Sequence, residues 1–391
     1  GEQTIDFDLI AQPRIGFGKV EIVATSGKEK ATFEIDIDVR NPNPKVTSVI
    51  EQTIDAGKSC KQSFKPIGIA GTNKVTLEVS SVPPLNLGKR LKYLIAYPHG
   101  CVEQTTSSVF PQLYLSDLMQ LDNVKKNDIT RNIKAGIQRL MSFQLSNGGL
   151  SYWPGNSDAD QWGTSYAGHF MIEAEKKGYA VSEGFMKRWR SYQKSKANNW
   201  TDDGPSSQLI QAYRLYTLAL CNKAEMGAMN RLKEKSNISN EAKWRLAAAY
   251  LIAGKKNIAE KMIQGLSMQV NSYNQMYGTY GSGVRDKAMI LEMLSLLGKQ
   301  KQALAMAKDL SKNLCSEEWF STQTTAYSLI AMSKFLGKGI TSKQLKYSYQ
   351  INAEKAIFVT TPNTISQIDI PVKSLSNNLI NIVNSSGGLL Y

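Results

Sequence analysis

The stretch Tyr97-Pro98-His99-Gly100-Cys101-Val102-Glu103-Gln104 sets a thiol three residues ahead of a carboxamide. A thiolate that attacks the Gln104 side-chain amide expels ammonia and leaves a thioester, an acyl group activated toward amines. Gly100 would let the chain turn tightly enough for the two side chains to meet. Residues Thr105 to Ser108 offer N-caps to a helix running through "VFPQLYLSDLMQL", with Pro111 near its first turn. The positive end of that helix would favour the sulfur as a thiolate and as a leaving group. The same spacing also suits a buried, inert thiol before an ordinary helical glutamine, the commoner outcome for so short a pattern. A Cys–His pair with His99 is harder to form at a separation of two residues, and no third orienting group is evident.

Little else in the composition suggests chemistry. Only two histidines occur, His99 and His169, and the latter sits in helical "GTSYAGHFMIEA" as a core or inter-helix residue. Cys60, Cys221 and Cys315 lie far apart with no CxxC, so neither zinc spacing nor a disulfide framework is indicated and no metal or other cofactor is expected. Buried free thiols are the expectation for these three. The net charge of +14 is spread in short pairs such as Lys176–Lys177 and Lys255–Lys256. That dispersion reads as a solvated surface and not as a nucleic-acid or membrane face. No apolar run is long enough to span a membrane, and no signal peptide pattern opens the chain. The strand-like beginning and end suggest a segment cut from a longer parent, so a membrane tether would belong to a missing N-terminal part.

The elements that must position Cys101 and Gln104 change period along the chain. Residues 1–85 read as β: "ATFEIDIDV" puts Ala31, Phe33, Ile35, Ile37 and Val39 on one face. From about 87 to 336 roughly twelve amphipathic helical stretches follow, several ending at glycine. Successive helices without strands predict paired helices stacked in a ring or an arc. After Gly339 strand patterns return, so residues 46–86 and 341–391 are each half of a small sandwich that can pair across the helical block.

"NLGKRLKYLIAYPHGCVEQTTSSVFPQLYL" (86–115) resembles the thioester region of bacterial alpha-2-macroglobulins, as do "VSSVPPLNLG", "GGLSYWPG" and "VNSSGGLLY". The resemblance implies a multidomain α and β chain, with an α/α toroid of about six helical hairpins inserted into a split antiparallel β-sandwich. Residues 1–45 would end a macroglobulin-like sandwich. Residues 46–86 and 338–391 would be two halves of a CUB domain around a thioester domain at 87–337. The implied activity is protease inhibition: the internal Cys101–Gln104 thioester acylates lysine amines of a captured protease, once, with no enzymatic turnover. The implied partners are target proteases and the remaining domains of the parent, in the periplasm or cell envelope.

Supporting roles follow for the neighbours. Tyr97 would shield the thioester from water, His99 would pack or hydrogen-bond beside it, and Glu103 would orient the turn. Trp153, in the loop "NGGLSYWPG", and Tyr277 and Tyr280, in "MYGTYGSGVRD", are candidate aromatic walls. A lysine is neutral in only about one molecule in two thousand at pH 7, so confinement must supply the rate of amine attack. Complement relatives use a downstream histidine to favour hydroxyl targets, and no histidine follows His169 here, which predicts amine preference. Two other readings remain: an adhesin that fastens to a surface through the thioester, and a toroid enzyme. For the enzyme, only the acidic "SDAD" (157–160) and "DD" (202–203) are available.

Overall fold

The computed structural model describes every residue except 1–2, 13, 42, 44–45, 84–94, 120, 316–319, 338–343 and 373–374. The expected boundary at 86/87 falls on residues outside that description, and the one at 337/338 lies at the edge of another such segment. Two units result, one of residues 1–79, 344–362 and 366–391, the other of 80–343 with 363–365.

The first unit is built of strands. β1 (Gly16–Ser26) and β2 (Glu29–Val39) form a long antiparallel hairpin whose turn holds Gly27 at φ +61°. The predicted period of two is realised, pairing Val20 with Ile35, Ile22 with Phe33 and Ala24 with Ala31. That row is nevertheless exposed along almost its whole length, so the alternation marks a face that none of the described residues of its unit cover.

β3 (Ser59–Phe64), β5 (Leu345–Ile351), β6 (Ile357–Thr361) and β8 (Asn378–Asn384) make a sheet in the order β3-β8-β5-β6. β4 (Val75–Ser80) pairs with β7 (Ile365–Ile370). Strands from before the helical block therefore pair with strands from after it. Ile54, Val79, Leu345, Tyr347, Tyr349 and Leu390 form the apolar core of this unit.

Among the described residues the second unit has twelve α-helices: α1 (Val102–Val109), α2 (Leu115–Leu118), α3 (Asn123–Ser142), α4 (Gln161–Lys176), α5 (Glu183–Asn198), α6 (Pro205–Leu220), α7 (Met226–Lys233), α8 (Asn240–Ile252), α9 (Lys256–Ile263), α10 (Gly283–Leu296), α11 (Gln300–Cys315) and α12 (Thr322–Leu336). Their packing order closes on itself. α1 packs on α4, α4 on α6, α6 on α8, α8 on α10 and α10 on α12, and α12 returns to α1.

The intervening helices cover this set from outside: α3 on α1 and α4, α5 on α4 and α6, α7 on α6 and α8, α9 on α8, and α11 on α10 and α12. Sequence accounts for the two layers. α11 buries Ala303, Met306, Ala307, Leu310 and Leu314, the single stripe of a surface helix. α8 instead buries every residue from Trp244 to Tyr250, as a helix with neighbours on all sides must.

An ionic cluster in the helical core was not anticipated from the sequence. Glu292 of α10 accepts from Arg245 of α8 at 2.7 Å, and from Lys334 of α12 and the Tyr216 hydroxyl of α6 at 2.8 Å each. Lys334 also lies 4.0 Å from Glu173 of α4, which accepts from the Tyr114 hydroxyl at 2.6 Å. Four of the six inner helices thus contribute charges to one cluster, and α6 adds a hydroxyl donor. Arg245 in "KWRLAAAY" and Glu292 in "MILEMLSLL", charges set inside apolar runs, were the available signal.

Candidate functional site

Cys101 is itself the N-cap of α1, with φ −73° and ψ 177°, whereas the sequence suggested a hydroxyl residue of 105–108. The helix begins at Val102, and the hydroxyls lie within it; the Thr106 hydroxyl, for one, donates back to the Val102 carbonyl at 2.7 Å. Pro111 opens a separate 3-10 turn (Pro111–Leu113) after α1 has ended.

The cap is reciprocal. The Gln104 N–H donates to Cys101 Sγ at 3.5 Å, and the Cys101 N–H donates to Gln104 Oε1 at 3.2 Å. Here the free thiol and carboxamide stand in for the sulfur and acyl group that a thioester would join. The Cys101 N–H already lies on the oxygen that would become the thioester carbonyl, where a donor stabilises charge developing during attack. Cys101 is fully buried and Gln104 is exposed. An incoming nucleophile can therefore meet the acyl carbon from outside while the sulfur departs inward.

Gly100 makes the turn with φ +91°, and a Cβ there would lie 2.2 Å from Gln104 Oε1. From α3, Arg139 donates to the Gly100 carbonyl at 2.7 Å and to the Thr105 hydroxyl at 3.2 Å. Glu103, nearly buried, accepts from Ser107 at 2.7 Å and from Thr322, the first residue of α12, at 3.1 Å. Burial raises its carboxyl above the usual range, opposed by those two hydrogen bonds. Glu103 thus ties the cysteine-bearing helix to α12.

The aromatic surroundings differ from expectation. Tyr97 is 60% exposed, and His99, also exposed, donates from Nδ1 to the Tyr97 carbonyl at 2.8 Å. Tyr277 is exposed in the 273–282 hairpin and lines no wall. Tyr280 of the same hairpin turns inward and stacks on Tyr152, with ring centroids 5.7 Å apart and planes 14° apart. Trp153 is half-exposed and meets Tyr152 edge-on. The residue against the sulfur is Tyr152: its hydroxyl faces Cys101 and its carbonyl accepts from the Val102 N–H at 3.0 Å. Arg139 is the position that sequence reasoning passed over, and Tyr152 stood beside Trp153 in the "NGGLSYWPG" loop without being chosen.

His169 is buried in the core, where its Nδ1 meets the Tyr213 hydroxyl at 3.0 Å. Cys60 and Cys221 are partly buried rather than buried, and burial pushes the Cys221 thiol up. No group of three or more His, Cys, Asp or Glu residues among those described could hold a metal ion.

A family model described as the A-macroglobulin TED domain matches residues 77–190, the segment that contains this cap and the Tyr152 loop. An Escherichia coli alpha-2-macroglobulin is 32% identical over 282 residues, covering 67% of this chain and 17% of the relative. The chain belongs to the bacterial alpha-2-macroglobulin family.

Two solved structures share the fold of this family member at 24% identity and cover 96% of it. Native E. coli alpha-2-macroglobulin, from domain MG7 to the C-terminus, has a TM-score of 0.64 and is covered to 62%. Salmonella alpha-2-macroglobulin reacted with methylamine has a TM-score of 0.67 and is covered to 26%. The chain thus spans under one fifth of the full-length E. coli relative.

Proposed function

We propose that the chain is the thioester-bearing part of a broad-spectrum protease inhibitor, in which Cys101 and Gln104 are joined and acylate a lysine amine of a trapped protease once. The observation that carries the reading is the reciprocal cap, with sulfur and carboxamide held together at a helix N-terminus behind Gly100. The closed order of inner helices supports an α/α toroid as the thioester domain. The pairing of β3 with β8 and β4 with β7 supports a split sandwich of the CUB type around it. The uncovered hairpin β1–β2 suits the end of a macroglobulin-like domain. Residence of the parent in the periplasm or cell envelope is part of the same reading.

Amines are the preferred nucleophiles. The reported reaction of the Salmonella relative with methylamine supports this preference. So does the local chemistry, because His99 is turned onto the Tyr97 carbonyl and His169 is buried against Tyr213.

Intact mass of the full-length, never-denatured protein tests the reading. The expected mass is lower than the sequence mass by one ammonia, and methylamine adds its own mass while releasing one titratable thiol. A free Cys101 thiol with an untouched Gln104 carboxamide would overturn it. Faster labelling by glycerol than by methylamine would overturn the amine preference.

A further inference from the structure

A thiolate released inside a protein must be met by hydrogen-bond donors, because a buried charge without partners is costly. The burial of Cys101 behind the exposed Gln104 sends the sulfur inward when the acyl carbon is attacked. One donor already points at it, the Gln104 N–H at 3.5 Å, which is a long contact. The Tyr152 phenol also faces the sulfur.

Three contacts fix that phenol. The Tyr152 carbonyl accepts from the Val102 N–H, which fastens the residue to the first turn of α1. Trp153 meets the Tyr152 ring edge-on at 5.9 Å, and Tyr280 stacks on that ring at 5.7 Å with the planes 14° apart. Tyr280 holds φ +48°, a left-handed conformation that costs a residue with a Cβ about 1 kcal/mol or more. The hairpin around it enforces this through the Gln275 N–H to Gly281 carbonyl bond at 2.8 Å and the Asn274–Ser282 bridge. Such strain at a ring stacked beside the reactive sulfur is what a positioning residue would carry.

Burial pushes both phenols up, Tyr280 to about 12, so each keeps its proton at neutral pH. A phenol in that state is a weaker acid than an ordinary thiol at about 8.5, so it donates a hydrogen bond without giving the proton away.

We propose that Tyr152 is a catalytic residue of thioester opening, the donor that stabilises the departing Cys101 thiolate, and that Tyr280 is its positioning residue. The inference rests on the thioester reading above. In the step, the amine nitrogen bonds to Gln104 Cδ and the Cδ–Sγ bond breaks, its electron pair passing to Sγ. The proton shed by the nitrogen goes to water, and the Tyr152 O–H remains intact as donor.

The test uses the full-length protein and methylamine in excess, with thiol release followed in time and intact mass recorded beforehand. Tyr152→Phe keeps the ring and removes the donor, so the rate of release should fall about 100-fold while the starting mass still shows the lost ammonia. Replacing Tyr152 by 3-fluorotyrosine, a stronger donor of nearly the same shape, should raise the rate about twofold or more. Tyr280→Leu should slow release, and combining it with Tyr152→Phe should add little. A Tyr152→Phe rate within twofold of the unaltered protein overturns the proposal. So does a fluorotyrosine protein with no gain, which decides the matter even where Tyr152→Phe builds no thioester. Failure of the thioester reading is recognised separately, because the unaltered protein then has its full sequence mass before any amine is added.

Discussion

At Gly100 the backbone sits at φ +91° and the space a Cβ would fill is taken by the Gln104 carboxamide. Two costs coincide there, a left-handed conformation and a collision with the acyl group itself. Gly100→Ala is therefore expected to push Gln104 away from Cys101. In the full-length protein the mass deficit of one ammonia should disappear, and thermal unfolding should show a loss of about 1–3 kcal/mol. Retention of the deficit in this variant would contradict the geometry. The pair Cys101–Gln104 and the need for Gly100 were legible in the sequence because all three act within one turn. The choice of Tyr152 over Trp153, and of Tyr280 over Tyr277, was not. Which ring of an aromatic pair turns inward depends on a hairpin register and on the partner it meets, and neither is local.

The elements around the site are held by few but well-placed bonds. Arg139 reaches from α3 to the turn at Gly100, and Glu103 links α1 to the first residue of α12. Thr322→Val keeps shape and removes the hydroxyl, leaving the buried Glu103 carboxylate with one fewer donor. Its expected cost is about 1–2 kcal/mol, read in urea unfolding of the protein, with Thr322→Ser restoring most of it. The helices themselves were legible from their period, and the outer layer most plainly, since α11 shows a single apolar stripe. The inner helices are buried on all sides and display less of a face. The start of α1 was misplaced because cysteine is a rare N-cap, and the run of hydroxyls after it looked the better candidate.

At the scale of the whole helical unit, opposed charges from α4, α8, α10 and α12 meet in the core. Glu292→Gln would leave Arg245 and Lys334 without their shared carboxylate, and should destabilise the unit by about 3–5 kcal/mol in chemical denaturation. Acid should act earlier than these carboxylates alone would require. Burial, and next the charge of Lys334, pushes His169 down to about 3. Below pH 6.5 the unfolded chain takes up a proton at this histidine that the folded one refuses until near pH 3. Stability thus falls as pH drops through that window, by up to about 1.4 kcal/mol per unit. Burial alone would raise Glu173, but the Lys334 charge lowers it to about 2, so its contribution is lost only between about pH 4.5 and 2. His169→Gln should remove the histidine's share of the slope from pH 6.5 down to about 3, flattening the profile above pH 4.5 and leaving only the carboxylate share below it.

The return of α12 onto α1 has a consequence for biosynthesis. Glu103 emerges from the ribosome more than two hundred residues before Thr322, its partner across the seam. Contacts so distant along the chain form slowly and late in folding. A nascent polypeptide would carry its cysteine and glutamine unsupported through most of translation, and would complete their setting only when the last inner helix docks. On the proposed thioester reading, an electrophile assembled that late has little opportunity to react with the chaperones it meets on the way.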